Sequence, residues 1–284
     1  MKWKIVTDSG SDIRQITPKT DTIAFQYVPL VITIDNQEYI DDENLDLETM
    51  LHAMEVSKNA TTTACPSPDS YASSFRDAEN VICFTLSKEI SGSYNSACLA
   101  KDLVLKENPN AKIHIFNTHT AGTEMNILVH KAVELAEKGY EFEELVDRMN
   151  TYHEHTGVHY LLESIDNLVK NGRVNRFTGT MIGLLGIRLI GQRTPQGTME
   201  LAHKVKGEKK ALRLLLEAVE ENGYQGGTIE ISHALNEESA KKFSELLLEK
   251  YPNCQPHILS MSGLCSYYAE KQGLIIGYDT LPAK

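Results

Sequence analysis

Short strand-like runs alternate with amphipathic helical patterns in the first half of the sequence, and this alternation limits the folds open to the chain. The strand-like runs are rich in β-branched and aromatic residues, and they fall at residues 4–7, 23–27, 81–85 and 113–116. Apolar residues with helical spacing fall at 45–56, 94–106, 125–138 and 142–152. Such alternation favours a parallel sheet covered by helices on both faces. We therefore predict a three-layer α/β/α domain, with residues 31–40 added to it as a hairpin that turns at Asp35-Asn36.

The second half of the sequence follows a different pattern. Its predicted strands share short β-branched runs and lie at residues 158–162, 187–190, 199–204, 228–232, 257–260 and 274–277, with helices at 208–222 and 237–251. A smaller mixed sheet with helices on one face would suit this order. Because 284 residues exceed the usual size of one domain, we predict two α/β domains, residues 1–156 and 157–284.

Three loops of the first half share one design, in which small hydroxylated residues lie between a predicted strand and the next helix. They span residues 7–12, 61–68 and 87–94. In an open parallel sheet such loops gather at the carboxyl ends of the strands, where backbone N–H groups and helix dipoles favour an anion. For any single loop, ordinary helix capping is the more common explanation. Together the three loops indicate an anion site.

Several ligand classes are disfavoured by the sequence. The formal net charge of −11 argues against nucleic acid or an anionic membrane surface as the main partner. The glycine-rich motifs G-x-G-x-x-G and G-x-x-x-x-G-K-[ST] are absent, so we expect no nucleotide pocket. We also predict no cofactor. The opening residues contain no apolar signal block, no stretch could span a bilayer, and five scattered cysteines fit a reducing compartment. We therefore expect a cytoplasmic protein.

The sequence gives weaker support for a metal site or a catalytic nucleophile than for an anion site. The cluster of His153, His155 and His159 could supply zinc ligands, but a helix is expected to end within it, so we interpret it as a solvated linker without a metal. Acidic residues 41–46 are interpreted as a helix cap rather than a calcium site. Cys65 near a helix start could act as a nucleophile, but no histidine lies close in sequence.

Four segments resemble one known family. Residues 5–9 (I-V-T-D-S) resemble its opening V-x-D-S strand, residues 63–67 (T-A-C-P-S) its T-S-Q-P-S loop, and residues 168–174 (L-V-K-N-G-R-V) its L-x-K-G-G-R-[IV] element. The strongest marker is the segment 90–97 (I-S-G-S-Y-N-S-A), which is similar to L-S-G-T-Y-x-S-A. On these segments the chain resembles the DegV family of bacterial fatty-acid-binding proteins over almost its whole length.

The resemblance implies a non-catalytic carrier that holds a palmitate- or oleate-like fatty acid between two domains. Thr63 and Ser91 would bond the carboxylate, and the backbone around Gly92 and Ser93 would add N–H donors. The carrier would then present the acid to a separate fatty acid kinase, with Arg173 engaging that partner.

The chain departs from the family pattern at two predicted site residues. Met261 stands where the C-terminal H-x-G-P-G loop has a histidine beside the ligand, and Lys206 stands where a K-x-R-G element has an arginine that could contact the kinase. A lysine lacks the bidentate fork of arginine, so carboxylate or phosphate pairing there would be weaker. Two other functions stay open: an enzyme with its own phosphoryl-transfer or hydrolase activity, using Asp8, Ser91 and Arg173, and a lipid-sensing regulatory protein.

Overall fold

The computed structural model describes residues 2–59, 61–174 and 186–282. The first half contains β1 (Trp3–Asp8), β2 (Ile23–Val28), β3 (Val31–Ile34), β4 (Gln37–Ile40), α1 (Leu47–Val56), β5 (Thr62–Ala64), α2 (Pro68–Phe75), β6 (Asn80–Thr85), α3 (Ser93–Glu107), β7 (Lys112–Asn117), α4 (Thr123–Glu137) and α5 (Phe142–His153). The second half contains β8 (Thr156–Leu162), α6 (Asp166–Lys170), β9 (Ile187–Arg193), β10 (Met199–Lys206), α7 (Glu208–Glu221), β11 (Ile229–His233), α8 (Glu237–Lys250), β12 (His257–Ser260), α9 (Gly263–Ala269) and β13 (Leu274–Asp279).

The first sheet is parallel, in the order β2-β1-β6-β7, and both of its faces are buried. Successive side chains of a strand point to opposite faces. Ile5 packs with Leu128 of α4 on one face, whereas the neighbouring Val6 packs with Tyr71 of α2 and Ala97 of α3 on the other. The predicted α/β/α layering of the first half is confirmed.

The second sheet is mixed, in the order β10-β9-β8-β13-β11-β12, and only its β11–β12 pair is parallel among the described strands. With six strands against four it is the larger sheet, not the smaller one that we expected. Helices α7 and α8 cover one face through residues such as Leu215 and Phe243. The other face is also covered, because β13 approaches the first turn of α4 closely. A Cβ on Gly277 would lie 2.4 Å from the backbone nitrogen of Glu124.

A small third sheet, in the order β4-β3-β5, completes the first half. The hairpin β3–β4 turns at Asp35 and Asn36, whose positive φ angles of 51° and 64° match the predicted tight turn. Strand β5 was not predicted, since residues 61–68 were interpreted as a loop. It pairs antiparallel with β3, so that Thr63 lies opposite Ile32. The hairpin therefore holds one of the predicted ligand residues.

The predicted domain boundary falls between Thr156 and Gly157, the first two residues of β8. Every described strand from β8 onward belongs to the second sheet. Across residues 2–59, 61–174 and 186–282, none of the helices combines the length and apolar character that a bilayer crossing requires.

Candidate functional site

A cavity of about 330 Å³ lies between the two halves of the chain. Its walls are mainly apolar and come from both halves, and the larger side chains include Leu30, Leu86, Leu162, Met199, Leu264 and Ile275. Cavities that hold small molecules are typically of this size or larger, with apolar walls and few polar groups. The cavity is suited to a mainly apolar ligand with a small polar group.

Thr63 and Ser91 both line this cavity. Thr63 reaches it from β5, and Ser91 from the loop between β6 and α3. The Ser91 hydroxyl lies 3.0 Å from that of Ser93 and accepts a hydrogen bond from the Ser93 backbone nitrogen at 3.2 Å. The sequence-predicted hydroxyl pair is therefore brought to one cavity from two separate elements.

Gly92 also lines the cavity, at the position before helix α3. Its φ of −74° is ordinary, so the residue is not required by backbone strain. Its nearest neighbour is the Cys65 side chain, which would have to shift for a larger residue, because a Cβ on Gly92 would lie 2.9 Å from the Cys65 Sγ. Gly92 itself has no side chain to cap α3, and the Ser93 amide is bonded by the Ser91 hydroxyl, so the other amides of the first turn can favour an anion.

Ser93, which was predicted to contribute to the ligand site, and Asp8 are both fully buried, and neither is among the described residues that line the cavity. The Asp8 carboxylate accepts hydrogen bonds from the backbone nitrogens of Gly10 and Leu86 and from the Tyr71 hydroxyl. Burial raises the pKa of Asp8 to about 6, while these bonds and one from Ser93 oppose the rise. Asp8 therefore joins the ends of β1 and β6 and is not among the described residues that line the cavity.

Arg173 lines the cavity close to Ser91. Its Nε donates to the Ile90 backbone oxygen at 3.1 Å, and its Nη1 donates to the backbone oxygen of Asn171, which ends helix α6. The guanidinium therefore connects the second half of the chain to the loop that carries Ser91.

The structure does not bring Met261 or Lys206 to the cavity. Met261 is 3% exposed and packs in the same apolar cluster as Tyr160 and Leu162, but it is not among the described residues that line the cavity. Its placement follows from the end of β12, where its backbone nitrogen bonds the His233 oxygen and the side chain points into the core. Lys206 is exposed at the end of β10, an edge strand of the second sheet.

Sequence reasoning missed the tyrosines of α9. The Tyr268 hydroxyl lies 2.8 Å from the Thr63 hydroxyl, and Tyr268 itself lines the cavity. The neighbouring Tyr267 hydroxyl lies 2.6 Å from that of Thr61 and accepts a bond from Asn171. Thr61 and Thr63 are two positions apart along an extended segment, so both can face α9. This spacing was the available signal, but α9 itself was not predicted.

The histidine cluster is not the solvated linker that we expected. His153, the last residue of α5, donates from Nε2 to the Thr118 backbone oxygen at 2.8 Å, and His159 is buried in β8 beside Tyr278. Only His155 is exposed. Helix α5 ends at His153 and strand β8 begins at Thr156, so the three histidines lie in a helix, a connection and a strand. Among the described residues, no group of three histidine, cysteine or acidic side chains is arranged to hold a metal ion.

Comparisons with known proteins agree on one family. A family model described as "Uncharacterised protein, DegV family" matches residues 2–279. A DegV domain-containing protein of Streptococcus pyogenes serotype M1 is 43% identical over 279 residues, which cover 98% of this chain and 100% of the relative.

Two solved structures are similar over nearly their whole length. The Streptococcus pneumoniae Fatty Acid Kinase (Fak) B3 protein loaded with linoleic acid is 41% identical, with a TM-score of 0.96 over 99% of this chain and 100% of the other. A DegV family protein from Eubacterium eligens loaded with heptadecanoic acid is 34% identical, with a TM-score of 0.94 over 98% and 100%.

Proposed function

Because the chain belongs to the DegV family, we propose that it binds a long-chain fatty acid in the cavity between its two halves. The carboxylate would lie at Thr63 and Ser91, near the amides of Gly92 and Ser93, and the acyl tail along the apolar walls. The observation that carries this proposal is the coincidence of a mainly apolar cavity with two hydroxyls on its lining, one from strand β5 and one from the loop before α3.

The acyl tail and the carboxylate head group should contribute differently to the binding free energy. An acyl chain of about fifteen methylenes offers more than about 10 kcal/mol of gross burial, at ~0.8 kcal/mol for each methylene. Each hydrogen bond to a charged head adds about 1.5–3 kcal/mol. The apolar walls would therefore supply most of the affinity, and the hydroxyls would fix the orientation of the acid.

In this proposal the chain is a carrier without catalysis of its own, and a separate fatty acid kinase acts on the acid. The similarity to a protein named as a fatty acid kinase component supports that role. Arg173 would engage the kinase from the cavity margin, and the exposed Lys206 would contribute a single positive charge. Turnover of an acyl or phosphoryl substrate by the isolated chain would contradict the carrier role.

The direct test is the identity of what the purified protein holds. Organic extract of the protein, analysed by mass spectrometry, should contain long-chain fatty acids in near-stoichiometric amount. Protein stripped of lipid should bind palmitate or oleate in a titration. A lipid-free protein that binds neither acid would overturn the proposal.

A further inference from the structure

The geometry points to Tyr268 as a positioning residue for the ligand, which orients the Thr63 hydroxyl toward the carboxylate. This inference rests on the proposed function. It assigns a role to a residue of the second half, whereas Thr63 and Ser91 belong to the first half.

The two hydroxyls are already in contact. Tyr268 Oη and Thr63 Oγ1 are 2.8 Å apart, a normal distance for an O–H···O hydrogen bond, and both residues line the cavity. Taken alone, the contact leaves the direction open, because either oxygen can donate. A bound carboxylate removes that freedom.

Proton counting fixes the direction of the bond. An ionised carboxylate only accepts hydrogen bonds, and a threonine hydroxyl has one proton to donate. If Thr63 donates that proton to the carboxylate, the remaining bond must use the phenol proton, so Tyr268 donates and Thr63 accepts. The result is a directed chain from Tyr268 through Thr63 to the ligand, in which each bond polarises the next.

Contacts at the start of helix α9 and beside the ring hold Tyr268 in place near Thr63. Backbone nitrogens of Gly263 and Leu264 at the start of α9 donate to the buried carboxylate of Asp41, at 2.8 and 3.0 Å. The Tyr267 ring contacts the Tyr268 ring edge to face, with centroids 4.8 Å apart. Helix α9 is thereby fixed against the first half at its start, and the Tyr268 ring is supported from its side.

The other candidate on this side of the molecule does not compete for the role. Met261 lies outside the described cavity lining, and its thioether has no proton to donate. Among the described residues of the second half that line the cavity, Tyr268 is the one whose hydroxyl bonds a predicted carboxylate ligand.

The test compares an acid with the alcohol of the same chain length, palmitate against hexadecanol, in Tyr268→Phe. The substitution removes one oxygen and keeps the ring. Affinity for palmitate should fall roughly 5- to 10-fold, and the fall for hexadecanol should be smaller, because bonds to a charged acceptor are the stronger ones. A purely structural loosening of the cavity would weaken both ligands equally, and that outcome would overturn the inference.

Two further variants sharpen the result. Tyr267→Phe deletes a neighbouring tyrosine–threonine bond that lies outside the described cavity lining, so it should lower the melting temperature while the preference for acid over alcohol stays unchanged. Thr63→Val combined with Tyr268→Phe should lose no more palmitate affinity than Thr63→Val alone. If the losses of palmitate affinity in the two single variants add up in the double variant, Tyr268 acts on the ligand independently of Thr63, and the positioning role is refuted.

A crystal structure of the unmodified protein with palmitate gives a test that needs no substitution. Thr63 Oγ1 should lie within hydrogen-bond distance of both a carboxylate oxygen and Tyr268 Oη. Separation of Tyr268 from Thr63 in the loaded protein would overturn the inference and leave the proposed function standing. Failure of the unmodified protein to bind palmitate would remove the proposed function and this inference together.

Discussion

Arg193 on β9 and Glu124 on α4 form an ion pair between the two halves of the chain, with Nη2 2.9 Å from Oε1. The Glu124 side chain is 0% exposed and that of Arg193 18% exposed, and the guanidinium also donates to the Thr156 backbone oxygen. Removing the cation would leave a buried carboxylate without its charged partner. Arg193→Met should therefore lower the free energy of unfolding by about 3–5 kcal/mol, measured by urea denaturation.

The exposed pair of Arg76 and Glu107 provides the control. Their side chains are 43% and 55% exposed, at a similar distance of 2.8 Å. Solvent screens such exposed pairs, so Arg76→Met should lower the free energy of unfolding by less than about 1 kcal/mol. Equal decreases in the free energy of unfolding for Arg193→Met and Arg76→Met would contradict the prediction that the buried ion pair contributes more to stability than the exposed one.

A second prediction concerns pH and Glu230. Burial, with a smaller contribution from Asp12, raises the pKa of Glu230 from 4.5 to about 7, against the opposing bond from Asn126. His130 Nε2 and His257 Nδ1 lie 3.4 and 4.0 Å from its Oε1. Between pH 4.5 and 7 the folded protein retains a proton that the unfolded chain has lost, so the stability contributed by this group falls as pH rises through that window.

Glu230→Gln removes this titration. The variant should be more stable than the unmodified protein above pH 7, by up to about 3 kcal/mol, and the difference should shrink toward pH 4.5. Urea unfolding at a series of pH values measures the effect. The prediction fails when the stability difference between the two proteins is the same at pH 4.5 and pH 8.

A third prediction tests the two predicted carboxylate ligands. Thr63→Val and Ser91→Ala each remove a hydroxyl from the cavity lining. Each should weaken palmitate binding by roughly 10- to 100-fold, the equivalent of one hydrogen bond to a charged group. Thr62→Val is the matched control, because adjacent residues of β5 point to opposite sides and Thr62 is exposed. Retention of palmitate affinity in both cavity variants would exclude these sites.

A fourth prediction uses Cys65 as a reporter of the cavity. Cys65 is exposed and lines the cavity, Cys98 is half-buried, and the other three cysteines are buried. In a Cys98→Ser background, bound oleate should slow alkylation of Cys65 because the ligand blocks access to the thiol. Peptide mass spectrometry would follow the rate. Alkylation of Cys98 in a Cys65→Ser variant should not respond to oleate, and a Cys65 rate independent of oleate would place the ligand elsewhere.

The sequence predicted those parts of the molecule that depend on local pattern. Strands such as β1 and β6 each have three β-branched residues among their six, and their alternation with amphipathic helices was sufficient to predict the α/β class. The turn at Asp35 and Asn36 has a local cause as well, since both residues tolerate positive φ. Thr63 and Ser91 came from family motifs, and the structure places both on one cavity, while their contact with a carboxylate stays a prediction.

Features that depend on tertiary contacts were missed. Strand β5 has three residues and helix α9 has seven, which are too short for a periodic pattern to identify. The bond between Thr63 and Tyr268 joins residues 205 positions apart, and no local signal connects them. Met261 was placed by motif alignment alone, which gives a position in the chain but does not show which way a side chain points.

The connections from Thr61 to Tyr267 and from Thr63 to Tyr268 also have a thermodynamic consequence. They join β5 of the first half to α9 of the second. Coupling free energies are reciprocal, so a ligand whose binding is strengthened by this connection must strengthen the connection by the same amount. Loaded and empty forms would then differ in how firmly the two halves are held together, and a partner that touches only β5 or α9 would distinguish them without contacting the ligand.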